Sequence, residues 1–190
     1  MEWLQNLDAT ILLFIQEHLR VEALHWFWKG ITFLGNAGWF WVVLGLILLI
    51  PRKTRKVGIM ALVSIFVCFL FTNVIIKNLV ARPRPYVTYS EIYPLIKKPT
   101  EFSFPSGHAC VSFASAFIYF RMLPRKYGVS AIVLAGLIAF SRLYVGVHYP
   151  GDVLGGIIVA WVGSTLVYWF MHGRKKVENG KSGTSQEAVS

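Results

Sequence analysis

Ser141-Arg142-Leu143-Tyr144-Val145-Gly146-Val147-His148-Tyr149-Pro150-Gly151-Asp152 lies between two apolar runs, residues 129–140 and 153–170. An arginine, a histidine and an aspartate therefore sit where the chain leaves or enters lipid. Ionisable groups are costly at such positions, and they are candidates for function wherever they occur there. A short turn with an arginine snorkelling to the interface is the plainer account of this stretch taken alone.

The composition favours a membrane protein. Of 190 residues 55% are hydrophobic, above the roughly 45–50% usual in soluble domains. The formal net charge is +10, yet the basic residues fall in small clusters between apolar runs. Nucleic-acid binding needs a continuous basic face, so it is excluded as a reading. Cys68 and Cys110 stand in or beside apolar runs without metal-type spacing, and they read as small packing residues. Glu2 and Asp8 replace the basic start of a secretory leader, so no cleavable signal peptide is expected.

Outward from the opening stretch the chain alternates apolar segments with charged loops. Residues 3–19 are apolar but interrupted by Gln5, Asn6, Asp8, Gln16 and Glu17, which fits either a first span or a helix lying at the interface. Residues 20–36 mix charges with Trp26, Phe27, Trp28 and Phe33, as at the headgroup level. Clear apolar runs follow at 37–50, 57–76, 109–120, 129–140 and 153–170. The expected fold is an all-α polytopic membrane bundle of about six transmembrane helices. It forms a single membrane-embedded domain over residues 1–172, followed by a basic, disordered tail over 173–190. The short basic loops at 52–56, 121–126 and 174–176 are expected to be cytoplasmic by the bias of Lys and Arg. Two spans separate each pair of these loops. The polar stretch 82–106 and the opening stretch then share the opposite, extracytoplasmic face.

That face gathers a particular chemistry. Lys77, Arg82 and Arg84 precede or open the first loop, Ser106-Gly107-His108 closes it, and Arg142, His148 and Asp152 come from the second. Ser106 and Gly107 are placed to begin a helix, where unpaired backbone amides bind anions. Arginine binds phosphate through two oxygens at once. Several cations around one group suit a phosphate better than a carboxylate. Asp152 falls in the first turn of a helix started by Pro150, within reach of the Nδ1–H of His148. That contact would leave Nε2 free to attack, with His108 left to protonate the leaving oxygen. Each residue has a plainer account: Lys77 snorkelling, Arg82 and Arg84 anchoring at the interface, His108 capping a helix, Asp152 answering a helix dipole. Their gathering on one face is what those accounts do not explain. Two histidines and an aspartate have the donors for a metal, but Lys77, Arg84 and Arg142 would repel a cation, and no acidic cluster of the magnesium-binding kind is present. No metal and no cofactor are expected.

Read as patterns, Lys77 to Pro85 is K-x6-R-P, Pro105 to His108 is P-S-G-H, and Ser141 to Asp152 is S-R-x5-H-x3-D. Complete and in this order, they resemble the type 2 phosphatidic acid phosphatase family, which shares its active site with vanadium-dependent haloperoxidases. The match covers roughly residues 57–172. The resemblance implies a helical membrane core and a phosphohistidine intermediate. By it, His148 is similar to the nucleophile, Asp152 to its partner and His108 to the general acid. Lys77, Arg84, Ser106, Gly107 and Arg142 correspond to the phosphate-binding set. Arg82 is not a motif position and is left as a possible headgroup contact.

The expectation is a metal-independent phosphatase acting on a lipid phosphate at the extracytoplasmic face of the cell membrane. Phosphatidylglycerol phosphate, phosphatidic acid and undecaprenyl diphosphate are the candidates, and the oligomeric state is left open. Two alternatives stand beside it: a vanadate-dependent haloperoxidase, and a non-enzymatic protein that binds or transports a phospholipid headgroup. The latter has no need of the His148–Asp152 pair.

Overall fold

The computed structural model describes residues 2–184, with side chains over residues 3–172. Among them the chain forms helices and no strand. These are α1 (Glu2–Phe14), α2 (His25–Leu34), α3 (Trp39–Leu49), α4 (Arg55–Phe69), α5 (Lys77–Val80), α6 (Pro85–Thr88), α7 (Gly107–Met122), α8 (Arg125–Tyr144) and α9 (Pro150–Thr184). The last helix therefore runs past residue 173 into the segment expected as a tail, whose residues 185–190 lie outside the described part.

Helix α7 is the centre. It packs against α4, α8 and α9, and it is buried on all sides through Ala109, Cys110, Ser112, Ala114, Ser115 and Ala116. A helix surrounded by others has no solvent face to keep, and its small residues let neighbouring backbones approach closely. At Gly156 that approach is limiting, since a Cβ there would lie 2.6 Å from the Ser106 carbonyl oxygen. The outer faces of α4 and α9 expose Phe66, Phe69, Ile158, Trp161, Leu166 and Trp169, as surfaces meeting lipid do.

Among the described residues three helical stretches are long and apolar enough to cross a membrane: Arg55–Thr88, Arg125–Tyr144 and Pro150–His172. The bent pair Glu22–Leu34 and Asn36–Leu49, at 47°, makes a fourth if counted as one span. The count falls short of the expected six for a physical reason. Helix α7 has 16 residues, or roughly 24 Å at 1.5 Å per residue, less than the ~30 Å of a hydrocarbon core, and α1 with its π-helical continuation Ile15–Leu19 carries Glu2, Asp8 and Glu17.

The helix directions separate the ends of the bundle. Helix α4 rises from the basic loop at 52–56 towards Lys77; α7 descends from Ser106 to Arg121; α8 rises again to Arg142. Thr54 and Pro124 line one cavity at the basic end, and Lys56 Nζ lies 3.3 Å from His172 Nδ1, where the apolar part of α9 ends. The polar loops at 82–106 and 141–152 meet at the other end, where the Leu95 amide donates to the Val145 carbonyl at 3.0 Å.

Candidate active site

Each local feature at this end has a sequence cause. The α4 helix widens into a π-helical segment, Leu70–Ile76, just before Lys77, a device common at functional sites. Ala81, in the left-handed conformation (φ 48°), ends α5, and Arg82-Pro83-Arg84-Pro85 then runs outside any helix until Pro85 starts α6. Ser106 caps α7 by accepting from the Ala109 amide at 3.4 Å. Gly146 takes φ 75° and turns the chain from α8 back towards His148.

A cavity of about 560 Å³ opens here, lined by Lys77, Arg84, Gly107, His108, Arg142 and His148 among others. Lys77, Arg84, Arg142 and His148 are all at most 5% exposed. The structure thus brings together six of the eight residues singled out in the sequence. The remaining two stand behind the wall. Asp152 is fully buried beneath His148. Ser106 departs from expectation: its amide is not free but donates to the Asp152 main-chain oxygen at 2.9 Å, so of that pair only Gly107 faces the cavity.

The hydrogen bonds assign the tautomer of His148. Arg84 Nη1 lies 3.2 Å from His148 Nε2, and a guanidinium can only donate. Nε2 therefore carries a lone pair and Nδ1 the proton, which faces Asp152 Oδ2 at 3.4 Å. Arg84 is itself fixed by donating to the Glu101 and Val147 carbonyls at 2.8 and 2.9 Å. Burial first, and then the Arg84 and Arg142 cations, push the His148 imidazolium down to about 3 against the pull of Asp152. The ring is neutral near pH 7.

His108 is oriented separately. Its Nε2 donates to Asn36 Oδ1 at 3.0 Å, and Gly35 lets the ring lie against the backbone, since a Cβ there would meet His108 Cδ2 at 2.6 Å. Arg142 donates from Nη1 to Thr32 Oγ1 at 2.5 Å, while its buried Nε has no partner among the described residues. A buried donor left unpaired beside a cavity is suited to an anion there. Lys77 pairs with Glu101 at 2.5 Å, and the Glu101 side chain is 67% exposed. The Lys77 hydrogen bond is the main cause holding the Glu101 carboxyl below its usual range.

Several of these residues escaped the sequence reading. Thr32 and Asn36 come from α2 and the turn after it, which read only as interfacial. Arg82 turns to Asp152 and not to the cavity: its Nη1 donates to Asp152 Oδ1 at 2.8 Å, and Ser103 Oγ donates to Asp152 Oδ2 at 2.5 Å. The signal available for Arg82 was a second arginine locked between Ala81 and Pro83, too near the first to be spare.

An all-helical membrane bundle that holds buried cations around two oriented histidines is suited to binding an anion. Within it, residues 56–176 match the model of the PAP2 superfamily, and the chain belongs to that family. It is similar to an undecaprenyl-diphosphatase of Sulfolobus acidocaldarius, with 35% identity over 69% of this chain and 65% of the relative, just under two thirds of that protein's length. A decaprenylphosphoryl-5-phosphoribose phosphatase of Mycobacterium tuberculosis is 33% identical over 73% of this chain and 76% of its own. The crystal structure of a transmembrane PAP2-type phosphatidylglycerolphosphate phosphatase from Bacillus subtilis superposes with a TM-score of 0.75 at 30% identity, covering 91% of this chain and 88% of that one.

Proposed function

We propose that this chain is a lipid phosphatase that hydrolyses a phosphomonoester or diphosphate lipid through a phosphohistidine on His148, without a metal, at the extracytoplasmic face. The observation that carries this reading is the lone pair of His148 Nε2, presented to a cavity with Lys77, Arg84 and Arg142 around it. The lipid phosphate takes the three cations and the Gly107 amide. It displaces Arg84 from Nε2, which attacks phosphorus as the bond to the lipid oxygen breaks. A bound phosphate offsets the cations, so His108 can hold the proton that it passes to the leaving oxygen. The phosphorylated ring keeps its Nδ1 proton and is cationic, and Asp152 stabilises it. Water then attacks phosphorus, His108 takes its proton, and the bond to Nε2 breaks to release phosphate.

The cations supply the charge stabilisation that a metal would otherwise give. The extracytoplasmic placement rests on the basic loops at the opposite end of the bundle. Phosphatidylglycerol phosphate, phosphatidic acid and undecaprenyl diphosphate are the proposed substrate range, the first and third of them in line with the names of relatives. The domain is proposed to span residues 1–172, and the C-terminus to be cytoplasmic. A haloperoxidase has no need of the lipid-facing surfaces, and a headgroup carrier has no need of an oriented Nε2 lone pair.

A phosphate-release panel over mono- and diphosphate lipids in detergent micelles tests the reading. Wild-type enzyme should release phosphate with chelator present, and His148→Ala should lose turnover by on the order of 10⁴-fold or more while staying folded. Short-chain lipid phosphate added to intact cells should be hydrolysed outside. Turnover that survives in His148→Ala, disappears with chelator, or requires permeabilised cells would overturn the nucleophile, the metal independence or the sidedness respectively.

A further inference from the structure

Helix α1 lies outside the segment that matches the family model, yet one of its side chains is tied to the site. Arg82 bridges two carboxylates: Nη2 donates to Asp8 Oδ2 at 2.7 Å and Nη1 to Asp152 Oδ1 at 2.8 Å. Asp8 Oδ1 also accepts from the Gly151 amide in the first turn of α9, at 2.8 Å. The guanidinium carbon lies over the Tyr149 ring, 4.0 Å from its centroid. The Asp8 and Arg82 side chains are each 15% exposed and Asp152 is fully buried, so water screens little of this cluster.

Resting on the reading of His148 as nucleophile, we propose that Asp8 and Arg82 are positioning residues that set the charge and aim of Asp152 behind the attacking ring. The charge count gives the reason. Arg82 alone would neutralise Asp152 and blunt its pull on a cationic phosphohistidine. With Asp8 sharing the guanidinium, two carboxylates face one cation and the cluster keeps one negative charge beside His148. The geometry does the rest. Arg82 holds Oδ1, while Ser103 and the Tyr149 amide hold Oδ2 at 2.5 and 2.9 Å, so the carboxylate cannot rotate away from Nδ1. The amide of Gly151 anchors Asp8 to the same helix turn that carries Asp152. Sequence distance hides the pair, since Asp8 and Arg82 stand 74 positions apart.

Neither residue touches the cavity, so loss of Asp8 should slow the chemistry without weakening lipid binding. In the full-length enzyme in micelles, Asp8→Asn should lower kcat roughly ten-fold with KM within about two-fold of wild type, and slow phosphoenzyme formation in a rapid-quench assay to match. Asp8→Glu, which keeps the charge, should recover kcat to within about three-fold. A simple tie between α1 and α9 would move thermal stability instead, and would treat both substitutions alike. Wild-type kcat in Asp8→Asn, a rise in KM alone, or equal loss in both variants would overturn the proposal. Wild-type turnover and its loss in His148→Ala are read alongside; if these fail, it is the nucleophile reading that falls.

Discussion

At one end of the bundle Arg52, Lys53 and Arg55 point into water, whereas at the other Lys77, Arg84 and Arg142 are at most 5% exposed. The two sets contain the same residue types, and the surroundings separate them. An exposed cation keeps its hydration and needs no partner. A buried one loses it and must find donors' counterparts in the protein, at a cost of several kcal/mol if it fails. Arg84 finds two carbonyls and the His148 lone pair, Lys77 finds Glu101, and Arg142 finds only Thr32, with Nε left over. Of these three cations Arg142 alone keeps an unpaired donor, and it lines the cavity. A cation held half-paired in this way costs stability, a cost that the exposed cations of the basic end do not carry.

Truncating a cation at each end is the strongest way to break that contrast. Arg142→Ala should lower kcat/KM by about 10²–10³-fold, the scale of losing one preorganised donor to a transition state. Arg55→Ala should leave it within about two-fold, as surface charges do. Arg142→Met should also raise the thermal midpoint, because it removes a buried, half-paired cation. Equal losses at the two ends, or a lower midpoint in Arg142→Met, would remove the distinction.

The same contrast explains what could be read from the sequence. Charges set in apolar surroundings stand out, so Lys77, Arg84, Arg142, His148 and Asp152 were visible, and helix-end residues such as Ser106 and Pro150 placed them. The convergence of two distant loops followed from alternating spans alone. Partners that are ordinary polar residues in ordinary loops were not visible. Asn36 sits in a Gly-Asn-Ala-Gly turn of a kind common in connections, and only the packing of that turn against α7 makes it the acceptor for His108. Asp8 looked like an interruption of a weak span. Its partner is fixed by how α1 lies against α9, a tertiary fact with no local signature. Helix α7 falls below the length of a lone span for the related reason that, buried by protein, it need not be long or strongly apolar.

A second test uses the buried histidine against acid. With its folded value pushed down to about 3 from 6.5, His148 takes its proton in the unfolded chain first. The associated stability is therefore full above pH 6.5 and is lost as pH falls through the window down to about 3. One such group contributes a slope of up to about 1.4 kcal/mol per pH unit. Thermal midpoints measured across that window should fall less steeply in His148→Asn than in wild type. Parallel slopes would mean that His148 is solvated like the lysines of the basic end.

The smallest effect is expected where the two ends blur. Glu101 is a water-facing member of the site, and its carboxylate stands on Lys77 where, on the proposed reading, a phosphate oxygen goes. A pair with one exposed partner is worth about 0–1 kcal/mol, so releasing Lys77 by Glu101→Gln should tighten inhibition by inorganic phosphate or vanadate by no more than about five-fold. The gain should shrink as salt is raised, since screening weakens the competing carboxylate first. A loss of kcat in Glu101→Gln with inhibitor affinity unchanged would count against this. It would make Glu101 part of the chemistry, and the boundary between buried and exposed charge would then lie further out than the cavity wall.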